Sequence, residues 1–353
     1  MGTAVRLRPA AVMLLAIAAA LLATLVLAFG RAGGTANAAG SGGSAPVSGS
    51  AGSGSAGSEA SGTGASGSGV GGQPAPGTQV IQAVGAENQY GNVIAQVGGA
   101  YVQVGSLLSN PSTDPHTFEA SVAVAREVGQ ARLVVQNGLG YDSFMNSVEA
   151  AAPNAGRMVI DVQQLLKLPD STPNPHLWYD PATMPKVANA IAADLSRIEP
   201  QHAAYFRGNA QEFTRSLATW DAALSQFAHA NRNVKIASTE PVADYLLSAA
   251  GADNLTPWSF QAAVMNGTDP SPQDVAAQKA LLSQRQVSVL IYNEQVTDPL
   301  TESLITLADA NHIPVVGVYE TMPQPGYDYQ SWMLAETSAL SRAVADHTSA
   351  EHL

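Results

Sequence analysis

Residues 80–105 read VIQAVGAENQYGNVIAQVGGAYVQVG, and this stretch decides the fold. Val80-Ile81-Gln82-Ala83-Val84 is a short β-favouring run, residues 88–97 read as a helix, and residues 101–105 as a second strand. The same alternation recurs. Residues 119–128 are expected to be helical, Arg132-Leu133-Val134-Val135 a strand, residues 141–151 a helix, and Val159-Ile160-Asp161-Val162 a strand. Asn137-Gly138-Leu139-Gly140 has neither the glycine spacing nor the Lys-Ser/Thr of a phosphate loop and reads as a structural turn.

A long helical stretch follows over 182–230, interrupted near Glu199-Pro200, where proline suits the first turn of a new helix. Ala203, Phe206, Ala210, Phe213, Leu217 and Trp220 recur at three- and four-residue steps and give it one apolar face. Strands then return at 234–237, 287–291 and 314–318, with helices at 241–250, 299–310 and 329–346. The fold class is α/β: two lobes with mainly parallel sheets, joined by a long helix. The expected domains are a first lobe over 79–198, a linking helix over 199–230 and a second lobe over 231–353.

The front of the chain is different. Residues 1–38 carry Arg6, Arg8 and Arg31 and no acid, residues 10–29 are uncharged and almost wholly apolar, and Ala36-Asn37-Ala38 follows. This is the pattern of a signal peptide, and twenty apolar residues also reach roughly 30 Å, enough for a membrane anchor. Both leave the remainder exported, at the cell surface, secreted or tethered through residues 10–29. Residues 39–78 are nearly all Gly, Ser, Ala, Thr and Pro, with Glu59 the one charge, and read as a flexible linker.

There is no cysteine, which excludes disulfides, thiolate metal sites, a cysteine nucleophile and a lipid-modified N-terminal cysteine. The chain holds 16 basic and 28 acidic residues, net −12 at pH 7. Such a balance argues against nucleic acid and anionic lipid as partners.

Two of the seven histidines sit in matching settings, Asp114-Pro115-His116-Thr117-Phe118-Glu119 and Asn174-Pro175-His176-Leu177-Trp178-Tyr179-Asp180-Pro181. A neutral imidazole is the commonest side-chain ligand of a divalent metal, and the preceding proline restrains the loop that presents it. Each follows an expected strand of the first lobe, where ligands of open α/β sheets bind. In the second lobe, Glu240 and Glu320 follow strand ends. Two imidazoles and two carboxylates facing one cleft make a four-residue site for a divalent cation. Structural readings stand beside this one. Glu240 is placed to cap the helix that begins at Pro241, and Glu294 and Asp298 compete with Glu320. Phe118 and Glu119 read as a helix start, and His202, His229, His312, His347 and His352 as surface or tail residues.

Those two histidine motifs, together with residues 135–141, Glu240-Pro241-Val242-Ala243-Asp244-Tyr245-Leu246 and Asp269-Pro270-Ser271-Pro272, resemble the zinc/manganese solute-binding proteins of metal ABC transporters, the cluster A-I metal-binding group. The resemblance covers residues 79–348. It implies two α/β lobes flanking a long rigid helix and a metal cargo between the lobes, with His116, His176, Glu240 and Glu320 as ligands. It also implies a membrane permease as partner, a monomer, and no enzymatic activity. Glu240 stands where typical zinc importers have His, Glu320 where the family usually has Asp, and residues 163–175 lack the histidine-rich loop of many zinc importers. Two imidazoles and two carboxylates suit Mn²⁺ or Fe²⁺ as well as Zn²⁺. A metal-dependent hydrolase and a surface adhesin or scaffold are the competing functions. No His-Glu-x-x-His motif supports the first.

Overall fold

The computed structural model describes residues 80–110 and 118–353. The readings of residues 1–38 and 39–78, and of His116, fall outside them.

The first sheet contains β1 (Ile81–Glu87), β2 (Val102–Leu108), β3 (Leu133–Gln136) and β4 (Met158–Asp161), in the order β2-β1-β3-β4 and wholly parallel. Strands of a parallel sheet are covered on both faces, so their central members read as apolar runs without alternation. The four residues of β3 are all buried. Between the strands lie α1 (Asn88–Gly98), α2 (Val122–Gln130) and α3 (Phe144–Ala151). The turn from β1 into α1 is tight enough that a Cβ on Gly85 would lie 2.3 Å from the backbone nitrogen of Gly91. Helix α2 begins three residues later than Glu119 suggests, because Ser121 supplies the cap, accepting from the backbone N–H of Val124.

After β4 comes the short α4 (Val162–Leu166), a helix the alternation did not predict, started by the Asp161 carboxylate accepting from Gln164. The chain then runs through a loop to a 3₁₀ turn at Leu177–Tyr179 and into α5 (Thr183–Ile198). The expected break at Glu199-Pro200 is present as a 3₁₀ turn. From there α6 (Ala203–Ser216) and α7 (Ala218–Ala230) follow each other with only Leu217 between them, forming the long helical link between the sheets. Helix α6 packs on α1 and α5, and α7 packs on the last helix of the chain.

The second sheet has the same plan. It contains β5 (Lys235–Ser238), β6 (Asp253–Asn254), β7 (Val289–Asn293) and β8 (Val315–Val318), ordered β6-β5-β7-β8 and parallel. Its helices are α8 (Asp244–Ala249), α9 (Trp258–Met265), α10 (Pro272–Ser283), α11 (Pro299–Ala310) and α12 (Tyr329–Asp346). Strand β6 has two residues, too few for a periodic signal, and α9 and α10 also escaped the sequence pattern. The starts of α11 and α12 are fixed by capping boxes, Asp298 with Thr301 and Asp328 with Ser331.

One hydrophobic core runs through both lobes. It joins Val135, Trp178, Met184 and Phe206 on the first side to Trp220, Ile236, Val316, Tyr329 and Trp332 on the second. Smaller clusters fill the outer faces of each sheet, around Val134 and Met145 and around Phe260 and Leu290. Direct bonds reinforce the join. The Asn88 amide both donates to the Met322 carbonyl at 2.8 Å and accepts from its N–H at 3.0 Å, and Tyr329 donates to the Trp178 carbonyl at 2.7 Å.

Candidate metal-binding site

In each sheet the chain reverses its winding beside the first strand. The segments that follow β1 and β3 meet the one that follows β8, through Asn88 on Met322, Gln89 on the Glu320 carbonyl and Tyr141 on the Glu320 carboxylate, at the strand ends where open α/β sheets take ligands. Four of the segments singled out from sequence can be placed against this frame. His176 follows the β4–α4 unit, Glu240 follows β5, Glu320 follows β8, and Asn137 to Tyr141 follow β3.

His176 is fully buried. Its orientation is set by Asn174, whose Nδ2 donates to the Pro241 carbonyl at 2.8 Å across the lobes. That bond turns the Asn174 oxygen toward His176, where it meets the backbone N–H at 3.0 Å and ring Nδ1 at 2.8 Å. Because Oδ1 can only accept, Nδ1 carries the proton and Nε2 is the nitrogen presented to the crevice, the arrangement a metal-ligating imidazole needs. Nε2 faces Glu320 Oε2 at 3.2 Å. Edge-on contacts of the ring with Tyr141 and Trp178 pack its sides.

Glu320 is also fully buried. Its backbone N–H and that of Thr321 both donate to Gln295 Oε1 at 2.7 Å, while Gln89 of the first lobe donates to the Glu320 carbonyl at 3.2 Å. Its Oε2 accepts from the Tyr141 hydroxyl at 2.9 Å, and its Oε1 from Asn293 Nδ2 at 2.8 Å. The same Asn293 amide donates to Oε1 of Glu240 at 3.2 Å. Glu240 is buried as well, and it precedes α8 by four residues, so it is not the cap of that helix. Asn293 thus links the two acids, and His176 meets the pair through Glu320. Among the described residues, no group of three His, Asp or Glu side chains is drawn together at metal-holding spacing.

The competing acids stand elsewhere. Asp298 caps α11, and Glu294 pairs with His352 at 2.9 Å. Away from the crevice, His202 stacks on Tyr101 with ring centroids 3.9 Å apart.

The polar surroundings include groups that sequence reasoning passed over. The turn after β3 has Gly138, Leu139 and Gly140 all at positive φ. It is held by the Asp142 carboxylate, which accepts from the N–H groups of Asn137 at 2.6 Å and Gly138 at 3.0 Å. Burial pushes Asp142 up to about 6 despite those two donors. Glu87, at the end of β1, is raised well above its ordinary value by burial and then by the Asp142 charge. Burial, with Glu320 second, likewise raises the Tyr141 phenol, which stays a proton donor. Behind the crevice, Glu336 of α12 accepts from Tyr179 at 2.9 Å and Trp332 at 2.7 Å, and burial pushes it to about 8. Asn174 was within reach of the sequence, two residues before His176 in a motif already singled out. Asn293 ends a strand beside the switch point, the other available signal.

Two α/β lobes, each with a parallel sheet, that meet at the carboxyl ends of their strands define a two-lobed binding-protein fold. The chain belongs to the family described as zinc-uptake complex component A, periplasmic, whose model matches residues 84–343. It is 24% identical over 253 residues to the manganese-binding lipoprotein MntA of Bacillus subtilis, covering 68% of this chain and 79% of that protein. It is 23% identical over 219 residues to the zinc-binding protein TroA of Treponema pallidum, covering 60% of this chain and 70% of TroA. Its fold matches the crystal structure of ZnuA with a TM-score of 0.62 at 19% identity, over 76% of this chain and 100% of that one. The periplasmic zinc-binding TroA structure from Treponema pallidum aligns with a TM-score of 0.63 at 18% identity, over 76% of this chain and 99% of TroA.

Proposed function

We propose that this chain is an exported receptor that captures a divalent transition metal, Mn²⁺ or Zn²⁺, between its lobes and delivers it to an ABC permease. The observation that carries this reading is the burial of His176, Glu240 and Glu320 beyond the strand ends, with His176 Nε2 facing Glu320 and the Asn293 amide bonding both acids. Neutral imidazole and carboxylate together match the donor preferences of both ions. Family membership supports uptake as the role, and the relatives named for manganese and for zinc support the pair of cargoes.

His116 is the remaining proposed ligand. With it, two imidazoles and two carboxylates give a donor set whose charge balances M²⁺. The ion is cargo, and the protein performs no reaction on it. A hydrolytic role would need a general base poised beside a metal-bound water. The Tyr141 phenol and the Glu87 carboxyl near the crevice are both pushed toward their neutral forms.

Residues 1–38 serve export, and residues 10–29, if retained, tether the receptor to the membrane through the 39–78 linker. Sequencing the N-terminus of the mature protein distinguishes retention from cleavage. Among the described residues, no helix is long and apolar enough to cross a membrane. For metal capture, the full chain is stripped of metal and titrated with Mn²⁺ and Zn²⁺ beside His116→Ala and His176→Ala. Tight binding by the parent and loss in both variants is expected. A parent that binds neither ion, or variants that bind like the parent, would overturn the proposal.

A further inference from the structure

We infer that Asn293 is a specificity-determining positioning residue. Its side-chain amide commits one oxygen of each acidic ligand, Glu240 and Glu320, and so favours a four-coordinate ion over a six-coordinate one. The inference rests on the metal-capture reading above.

Asn293 is the last residue of β7, 1% exposed, at the switch point of the second sheet and between the strands that precede the two acids. Its amide orientation follows from its partners. Oδ1 accepts from the backbone N–H of Gln295 at 3.1 Å, a group that can only donate, so Nδ2 is the end that faces the carboxylates. From there it donates to Glu320 Oε1 at 2.8 Å and to Glu240 Oε1 at 3.2 Å. The residue itself is held by its backbone N–H donating to Thr239 Oγ1 at 3.2 Å. One rigid amide therefore engages the same oxygen on both acids.

This clamp limits how the acids can coordinate. A carboxylate that chelates a cation aims both oxygens at it, and an N–H···Oε1 bond from the side opposes that rotation. The other oxygen of Glu320, Oε2, accepts from the Tyr141 hydroxyl and is turned toward His176 Nε2. Held this way, each acid supplies one oxygen rather than two, which keeps the donor number low, toward the tetrahedral four preferred by Zn²⁺. Release of both acids to chelate would add two oxygens, toward the six that oxygen-rich Mn²⁺ sites favour. Asn293 thus weights the site toward the smaller coordination number without touching the ion. Residues that hold metal ligands through hydrogen bonds typically change affinity about 10–100-fold when removed.

The test uses the full chain, stripped of metal, as parent, Asn293→Ala and Asn293→Thr. Zn²⁺ and Mn²⁺ affinities are measured by chelator competition, and the coordination number of bound Mn²⁺ by X-ray absorption. In Asn293→Ala the Zn²⁺ affinity is expected to fall about 10–100-fold and the Mn²⁺ affinity by less, with more oxygens around Mn²⁺. The Asn293→Thr variant retains one donor, so its Zn²⁺-to-Mn²⁺ affinity ratio should move in the same direction by a smaller factor. This variant carries the test alone if the alanine variant does not fold. An unchanged ratio, or equal weakening for both ions with unaltered coordination, would overturn the inference. A parent that binds neither ion would instead overturn the metal-capture reading on which it stands.

Discussion

His176 Nε2 stands 3.2 Å from Glu320 Oε2, across 144 positions of chain. With Nδ1 already donating to Asn174, the lone-pair face of the ring and a carboxylate oxygen point at each other. Two electron-rich atoms at that distance call for a positive charge between them, which a proton or a metal ion supplies. Metal binding should therefore displace protons. Calorimetry in buffers of different ionisation enthalpy should show proton release, and affinity should weaken from about pH 7.5 to about pH 5.5, as ligand protonation competes with the ion.

Asn174 couples that imidazole to the opposite lobe through the Pro241 carbonyl. Asn174→Ala removes the acceptor that fixes the ring tautomer and leaves the ligand itself in place. Metal affinity is expected to drop about 10–100-fold, with the folded structure by circular dichroism unchanged. An affinity equal to the parent's would show that packing by Tyr141 and Trp178 alone orients the ring.

Asn88 contributes to the joint between lobes rather than to the ion. Its two bonds with Met322 are both buried, and Asn88→Ala would leave a backbone N–H and a carbonyl without them. The expected loss is about 2–4 kcal/mol of stability, read from the midpoint of urea unfolding in the metal-free protein.

Glu336 gives the pH dependence of stability. Its folded value is raised from 4.5 to about 8 by burial. A carboxyl raised on folding binds its proton more tightly in the native state, so its contribution is full below the unfolded value. That contribution is lost progressively as pH rises through about 8. Glu336→Gln keeps an oxygen to accept from Tyr179 and Trp332 and cannot ionise. The variant should therefore gain on the parent between about pH 5 and about pH 9, by a few kcal/mol in all. Parallel melting temperatures of the two proteins over that range would contradict this assignment.

Much of the architecture follows from local chemistry. The buried runs of β1, β3, β7 and β8 are apolar because parallel strands are covered on both faces, and that signal needs no partner to be read. Proline and capping residues mark the starts of α11 and α12. Where the local signal was thin, the reading stopped: β6 has two residues, and its pairing with β5 is made by the sheet rather than by its own propensity.

The residue types of the site are legible in the chain before it folds. Proline-preceded histidines and strand-end acids are visible as text, because metal ligation demands those side chains and α/β sheets place ligands at strand ends. Where each acid points was left to the folded molecule, in which Glu320 turns to His176 and, with Glu240, to Asn293, while Asp298 turns to its own helix and Glu294 to His352. Folding also revealed Asn293 and Asn174, since an amide carries no sign of its partners until the fold assigns its donor and acceptor ends. Hydrogen bonds are directional and nonlocal. Apolar periodicity is local, and that difference separates what could be read from what had to be seen.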